Sequence, residues 1–134
     1  MDIPEILAAF RPSDGIYKRE YVDAAVRLKD EIIPHLISIL EKLLSDPTPY
    51  LENDEYFDHV YAVILLGHFG TRQVHETIVD LFSIPGDVPY RIFGDIVTED
   101  LPAILFKTCG GCLDKIKSLA LNKDAYEYCR ASAL

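Results

Sequence analysis

Hydrophobic residues recur at helical spacing along most of this chain, and clusters of Pro, Gly and Asp separate the segments with this spacing. No segment shows the convincing alternation of apolar and polar residues that predicts a strand. The pattern therefore predicts an all-α fold of about three antiparallel helix pairs with some shorter pieces. The first piece is a short N-terminal helix, because Asp2 can cap it and Pro4 lies in its first turn.

A proline divides the next helical region. The segment from Arg19 to about Asp30 has apolar residues at helical spacing, which predicts a helix there. Pro34 disfavours helical geometry at Ile33, so the pattern predicts that one helix stops there. A second helix is predicted to begin near Pro34 and to end at Ser45, where a Pro-rich loop follows.

The segment at residues 54–82 is the most informative part of the chain. It predicts a helix that opens near Asn53 or Asp54 and a partner helix from about Arg72 to Phe82. The first of these two helices is apolar on nearly every side from Val60 to Leu66. A helix of that kind is covered on more than one face, so we expect it in the core.

The same pattern returns further along the chain. Residues 101–121 again predict two helices joined by a glycine turn, and Gly110 follows Gly70 by about 40 positions. Helical pairs that recur at this distance are typical of HEAT-like α-solenoids, whose units run roughly 40–47 residues. We therefore expect residues 1–134 to form a single HEAT-like domain, an α-α superhelix of antiparallel helix pairs.

Short helices complete the predicted C-terminal part. Asp87 is expected to cap a helix from Val88 to about Ile96, and Thr98 is expected to cap the next one. The partner helix of the second repeat is predicted at Cys112–Leu121. A last helix begins at Ala125 and reaches the end of the sequence. Because solenoids need capping units, this pattern suggests a chain truncated at its C-terminus, or a last helix that another copy covers.

Composition narrows the function classes. The chain carries 22 acidic against 13 basic side chains, a net charge of −9. This balance argues against nucleic acid, whose binding requires clustered Lys and Arg, and against anionic membrane surfaces. The N-terminal residues lack the pattern of a signal peptide, and no apolar run is long enough to span a bilayer. Three cysteines do not suggest a secreted disulfide framework, so we expect a cytoplasmic protein.

Cys109 and Cys112 form the sharpest chemical motif, Cys-Gly-Gly-Cys. At a helix N-terminus such a pair can hold a thiolate, because the helix dipole and free amides stabilise negative charge. A redox fold would add a preceding strand, and a zinc site would need a second pair of ligands; the sequence shows neither. The alternative is that Cys109 is a small core residue and that Cys112 starts the next helix.

Three histidines, His59, His68 and His75, lie on the two predicted helices of one pair and support a weaker metal hypothesis. Glu55 and His59 lie four residues apart and share a helix face, and two such pairs can bind a metal in helical bundles. The sequence contains no repeated Glu-x-x-His pattern, and a solvated acidic face explains the carboxylates equally well. No nucleophile elbow or phosphate loop is present either. We therefore expect no catalytic residue, no metal and no cofactor.

Aromatic residues and arginine suggest a binding surface instead. Tyr and Arg are common anchors of protein interfaces, and solenoids present a long concave surface. Tyr50, Tyr90 and Arg91 are the candidates, and the last two lie in a loop-rich stretch. Tyr56 and Tyr61 are explained equally well as core residues whose hydroxyl groups reach water.

Four motifs, in order along the chain, resemble one bacterial family. They are DHVYAVILLGHF (58–69), IVDLFSIPGD (78–87), GDIVTEDL (94–101) and AYEYCRASAL (125–134). The chain resembles the family called domain of unknown function 1186, with HEAT-like repeats, from Tyr17 onward. The resemblance implies no activity and no site residues. Some relatives are longer and sometimes have a Cys-rich, zinc-binding tail, which this sequence does not include.

These observations together predict a non-catalytic protein-interaction scaffold of the bacterial cytoplasm. Its rigid surface, acidic at the rim, would bind a protein partner through aromatic anchors, with no role for nucleic acid or membrane. Self-association through the terminal helices is a further expectation. The second hypothesis is a redox or metal-responsive protein that uses Cys109 and Cys112. A weaker third one, a pigment-holding lyase, has no more than the helical-pair pattern behind it.

Overall fold

The computed structural model describes residues 2–12, 15–52 and 55–133. These residues contain eleven α-helices, a short 3-10 helix and no strand, so the predicted all-α class is confirmed. In this part of the chain no helix has the length and apolar character needed to cross a membrane. The chain divides into two compact units, Met1–Leu65 and Leu66–Leu134, and the boundary falls within the fifth helix. The HEAT-like superhelix and the single domain stay predictions.

The first unit is built from helices whose inner faces are apolar. Asp2 caps the first helix as predicted, since its side chain accepts a hydrogen bond from the Glu5 backbone N–H at 3.0 Å. The first helix packs against the second, and the second packs against the third. Their described bounds are α1 (Ile3–Phe10), α2 (Arg19–Arg27), α3 (Lys29–Ser45), α4 (Thr48–Glu52) and α5 (Asp58–Phe69), the last shared with the second unit.

The prediction that Pro34 starts a helix is wrong, because α3 begins at Lys29 and continues through the proline. The break between α2 and α3 lies at Leu28, whose ψ of 31° leaves the α region. Proline removes one backbone hydrogen bond from a helix interior. Ile32 and Leu36 are fully buried on the same helix, and the burial of such side chains stabilises it by about 1.5–3 kcal/mol each. Packing therefore offsets the lost hydrogen bond.

The Pro-rich loop after α3 is shorter than predicted, because Thr48–Glu52 forms α4. The Asp46 side chain accepts a hydrogen bond from the Thr48 backbone N–H at 3.1 Å, which satisfies a free donor at the helix start. The helix start predicted at Asn53 or Asp54 lies outside the described residues. The next described helix, α5, begins at Asp58.

The apolar run of α5 is buried, as its pattern predicts. From Val60 to Leu66 every side chain is buried except Ile64, which is 42% exposed. Tyr61 is 9% exposed, and its ring stacks on Phe10 with 4.3 Å between the ring centres. Its hydroxyl oxygen accepts a hydrogen bond from the Lys18 backbone N–H at 3.2 Å. The interpretation of Tyr61 as a core residue is therefore confirmed, although its hydroxyl binds the backbone.

The second unit surrounds a core of large apolar side chains, among which Phe82, Leu101 and Leu105 are at most 1% exposed. Counted along the chain, the sixth helix packs against the ninth and the tenth. The eleventh and last helix packs against the eighth, ninth and tenth. After a 3-10 helix at Arg72–Val74 the elements are α6 (His75–Phe82), α7 (Val88–Phe93), α8 (Ile96–Glu99), α9 (Leu101–Thr108), α10 (Asp114–Leu121) and α11 (Glu127–Ser132).

Several helix ends of this unit differ from the prediction. Thr98 does not cap α9 but lies inside α8, where its hydroxyl donates to the Asp95 carbonyl oxygen at 3.3 Å. Asp87 precedes α7 as predicted, but its side chain makes no capping hydrogen bond. Short helices whose ends share residues with neighbouring turns are poorly located by capping patterns. The last helix begins at Glu127, two residues later than Ala125.

The two glycines that mark the sequence repeat have the same backbone conformation. Gly70 has a φ of 65° and Gly110 a φ of 61°, a region that L side chains rarely adopt. Gly70 follows α5 directly, and Gly110 lies two residues after the end of α9. Four other glycines also have a φ in this region: Gly15, Gly86, Gly94 and Gly111. The sequence repeat therefore stays a prediction.

Candidate functional site

An apolar groove of about 430 Å³ lies between α9 and α10, beside the end of α11. A volume of this size is within the range of pockets that hold small ligands. Lys117 is the one charged side chain among the described residues that line the groove. The others are Pro102, Leu105, Phe106, Leu113, Ile116, Ala120, Ser132 and Ala133.

Phe106 is the most unusual residue of this groove, because 75% of its side chain is exposed. The neighbouring buried positions of α9 form its inner stripe: Leu101, Ile104, Leu105 and Thr108. Phe106 lies off that stripe, so the packing of α9 does not require a large apolar side chain there. Leu113, which directly precedes α10 and also lines the groove, is 46% exposed. Single exposed apolar residues are ordinary on protein surfaces, whereas these two lie together in one groove.

The apolar side chains of α10 serve two surfaces. Leu119 is 1% exposed and belongs to the core, whereas Ile116 and Ala120 are half-buried and line the groove. Leu121, at the last turn of α10, is 77% exposed. These residues at helical spacing make α10 an amphipathic helix. A large part of its apolar face is exposed to solvent.

Tyr90 and Arg91 lie on α7 and are both exposed, as the binding-surface hypothesis expects. The Tyr90 ring centre lies 6.2 Å from that of Tyr126, which lies 5.3 Å from that of Tyr128. Tyr90 and Tyr128 are 46% and 48% exposed. Partial burial, followed by the charges of neighbouring groups, raises the pKa of Tyr126, so its hydroxyl stays protonated. We call Tyr90, Tyr126 and Tyr128 the tyrosine cluster.

Tyr50, the third predicted anchor, belongs to the first unit and lies on α4. Its side chain is half-buried, and its hydroxyl donates to Asp58 Oδ1 at 3.1 Å. Burial and the adjacent carboxylate raise the pKa of Tyr50 above its usual range, so the hydroxyl remains a donor. Tyr50 lines a cavity of the first unit and is not part of the tyrosine cluster.

The Cys-Gly-Gly-Cys motif lies in the turn between α9 and α10, and its use of a thiolate stays a prediction. Cys112 is exposed but does not lie at a helix N-terminus, because α10 begins only at Asp114. Its backbone N–H donates to the Cys109 carbonyl oxygen at 3.1 Å, within the turn that Gly110 permits. Cys109 is 7% exposed, and its thiol donates to the Phe106 carbonyl oxygen at 3.1 Å. Cys109 is therefore the small core residue of the alternative interpretation.

The metal hypothesis at His59 receives no geometric support. His59 is 3% exposed, and its ring packs edge-on against Tyr50 with 4.7 Å between the ring centres. Among the described residues, no three His, Cys, Asp or Glu side chains form a group that could hold a metal ion. Cys129, the third free cysteine, is fully buried, and burial raises the pKa of its thiol to about 12.

His75 is a buried titratable group of the second unit. It is 7% exposed, and its Nδ1 lies 2.8 Å from the Thr108 hydroxyl oxygen. Because that hydroxyl donates to the Ile104 carbonyl oxygen at 2.9 Å, it accepts the hydrogen bond from His75 Nδ1–H. The second ring nitrogen, Nε2, is buried without a partner among the described residues. The hydrogen bond to Thr108 and the buried Nε2 without a partner together favour the neutral form of the His75 imidazole.

Acid should destabilise the second unit through His75. Burial lowers the pKa of His75 below the value of about 6.5 that the unfolded chain retains. Below about pH 6.5 the unfolded chain then binds a proton that the folded protein does not. The contribution of neutral His75 to the free energy of unfolding is therefore complete above about pH 6.5 and is lost as the pH falls below it. The free energy of unfolding falls by at most about 1.4 kcal/mol per pH unit. Urea unfolding between about pH 7.5 and about pH 5 measures the loss.

The matched variant for this pH dependence is His75→Gln. Glutamine can still donate a hydrogen bond to Thr108 but does not titrate. The variant should therefore lose less stability than the wild type between the two pH values. Equal pH dependence of the two proteins would show that His75 does not carry the effect.

The comparisons with known proteins agree with the four sequence motifs. A family model described as "Protein of unknown function (DUF1186)" matches residues 1–134, which confirms the family resemblance. A protein of Chlamydia muridarum (strain MoPn / Nigg) is 33% identical over 134 residues, which are 100% of this chain and 53% of that protein. A protein of Chlamydia trachomatis serovar D is 36% identical over 109 residues, 81% of this chain and 43% of that protein.

Both relatives carry the name "Uncharacterized protein". The chain spans about half the length of the curated relatives it matches. No solved structure matches this chain.

Proposed function

This chain belongs to the family described as Protein of unknown function (DUF1186), and we propose that it is a non-catalytic protein-interaction module of the bacterial cytoplasm. The observation that carries the proposal is the apolar groove of the second unit, in which Phe106 is 75% exposed. An aromatic side chain in that position contributes little to the core. Its apolar surface is available to a partner, whose association would remove it from water.

The groove favours a partner segment with apolar side chains and an adjacent carboxylate. Its described lining is apolar except for Lys117, Ser132 and the backbone. Lys117 is a positive charge in a chain whose net charge is −9, and complementary charges fix the orientation of a bound segment. An amphipathic helix presents apolar anchors on one face with acidic residues beside them. We propose such a helix as the occupant.

The tyrosine cluster supports the same function through a second set of anchors. Tyr90 and Tyr128 are about half exposed, and Arg91 is exposed on the same short helix as Tyr90. Tyr and Arg are enriched among residues that dominate binding energy. The cluster belongs to the second unit, as does the groove.

Replacing Phe106 with serine should reduce partner binding at least about tenfold, because the loss of an aromatic anchor commonly removes more than about 1.4 kcal/mol. The matched control is Tyr17→Ser. Tyr17 is an aromatic residue of the first unit that is 67% exposed and does not line the groove. Tagged wild-type and variant proteins are expressed in the source bacterium, and co-purified proteins are quantified by mass spectrometry.

The proposal expects at least one protein whose recovery falls with Phe106→Ser and stays within about twofold of the wild type with Tyr17→Ser. Equal recovery of every co-purified protein from all three forms would contradict it. A second copy of this chain is the other possible occupant of the groove, and sedimentation of the purified protein tests for it. If the wild type is a dimer and Phe106→Ser is a monomer, the groove mediates self-association and does not bind an amphipathic helix of another protein.

A further inference from the structure

The first unit contains a cavity whose chemistry differs from that of the groove. The cavity has a volume of about 490 Å³, lies among α1, α3, α4 and the start of α5, and is open to solvent, since Ala8, Arg11 and Lys42 of its lining are exposed. Leu7 and Ala8 of α1 and Ile39 of α3 supply its apolar lining. Concave sites of this size, apolar with a few polar groups, are typical of small-molecule sites.

Three charged side chains reach this cavity among the described residues. Arg11 follows the last turn of α1, Lys42 lies on α3, and Asp58 is the first residue of α5. One oxygen of the Asp58 carboxylate already accepts the hydrogen bond from the Tyr50 hydroxyl at 3.1 Å. The described lining therefore holds two cations and one partly satisfied carboxylate, a positive excess in a chain whose net charge is −9.

Arg11 is exposed to solvent, and contacts with Tyr56 and Phe57 restrict its freedom. Its guanidinium carbon lies 4.9 Å from the centre of the Tyr56 ring, which is cation–π geometry. Its backbone carbonyl accepts a hydrogen bond from the Phe57 N–H at 2.8 Å. A hydrogen bond to Tyr56 raises the pKa of Arg11 further, so the side chain stays charged. Such pre-organisation lowers the entropy lost when a ligand binds.

We propose that this cavity binds a small organic carboxylate, whose charged group lies at Arg11 and Lys42 and whose apolar part packs against Leu7, Ala8 and Ile39. A guanidinium can pair with a carboxylate through two parallel hydrogen bonds. The described lining carries one more positive than negative charge, which a monoanion balances better than a phosphate dianion does. The apolar lining favours a ligand that also has a hydrocarbon part, which an inorganic anion lacks. This inference goes beyond the proposed protein-interaction function and does not depend on it.

The test uses three probes on the full chain. Hexanoate carries both features of the proposed ligand, hexanol carries the apolar part alone, and inorganic phosphate carries the charge alone. NMR titration of the leucine and isoleucine methyl groups reports binding at Leu7 and Ile39. Hexanoate should shift both signals in a saturable way, hexanol should bind about tenfold more weakly, and phosphate should leave both signals unchanged.

Two variants of opposite expected effect then test the charged groups. Lys42→Met keeps the length of the side chain and should weaken hexanoate about tenfold, whereas Lys29→Met, on the same helix outside the cavity, should not change it. Asp58→Asn removes the one described negative charge while its side-chain oxygen still accepts from Tyr50. It should strengthen hexanoate several-fold, which a loss of structure would not do. Far-UV circular dichroism shows that each variant is folded.

The proposal is overturned if hexanoate leaves the Leu7 and Ile39 signals unchanged or if hexanol binds as tightly as hexanoate. It is also overturned if phosphate shifts the same signals as strongly, because the site would then recognise charge without hydrocarbon. Weaker binding by folded Asp58→Asn would likewise contradict the assigned charge balance.

Discussion

Replacement of Phe82 by alanine should lower the free energy of unfolding by about 3–5 kcal/mol. Phe82 is 0% exposed on α6, and its ring centre lies 4.8 Å from that of Phe93. The substitution removes a ring contact and leaves a cavity that the surrounding helices fill only in part. Because domains of this size are stable by about 5–15 kcal/mol, the loss is a large share of the total. Urea unfolding followed by far-UV circular dichroism measures it.

The matched control for this prediction is Phe106→Ala. Phe106 is the same residue type in the same unit but is 75% exposed, so its replacement should change the free energy of unfolding by less than about 0.5 kcal/mol. A large loss of stability in Phe82→Ala and almost none in Phe106→Ala would distinguish the core from the groove. Similar losses for the two variants would mean that Phe106 packs into the folded unit and is not available to a partner.

Phe10→Ala should have an effect of similar size in the first unit, about 3–5 kcal/mol. Phe10 is 0% exposed at the last turn of α1, and its ring is nearly parallel to that of Tyr61, with 13° between the planes. The substitution removes the stacked ring contact between α1 and Tyr61 of α5 and leaves a cavity in the first unit. The same urea unfolding experiment measures the loss.

Tyr17→Ala is the control for Phe10→Ala, because Tyr17 is an aromatic residue of the same unit that is 67% exposed. It should change the free energy of unfolding by less than about 0.5 kcal/mol. If Phe10→Ala were as stable as the wild type, α1 would not belong to the core of the first unit. The cavity that α1 lines would then have no fixed wall on that side.

The helices themselves could be predicted from the sequence, because the period of apolar residues reflects which face each helix buries. Their ends were predicted less well, since a helix end depends on competition between local geometry and packing. Pro34 illustrates this competition: its local preference favours a break, but the buried side chains on either side hold α3 together. Cys112 illustrates the opposite case, because a turn with two glycines delays α10 to Asp114.

The candidate sites could be predicted only in part, because each brings together residues that are distant in sequence. Tyr90 and Arg91 could be chosen from residue type and context, but the tyrosines that complete the tyrosine cluster come from around α11. Arg11 and Lys42 meet at one cavity although they lie on different helices. Phe106 did leave a signal: it is the aromatic residue of α9 that falls outside the buried stripe.

We propose that the groove around Phe106 binds a protein partner. The most direct test places a photo-crosslinking amino acid at position 106, at position 113 and, as a control, at position 17, and illuminates cells of the source bacterium. One protein should be crosslinked from positions 106 and 113 and be absent from position 17. The same crosslinked proteins from all three positions, or none from positions 106 and 113, would contradict it.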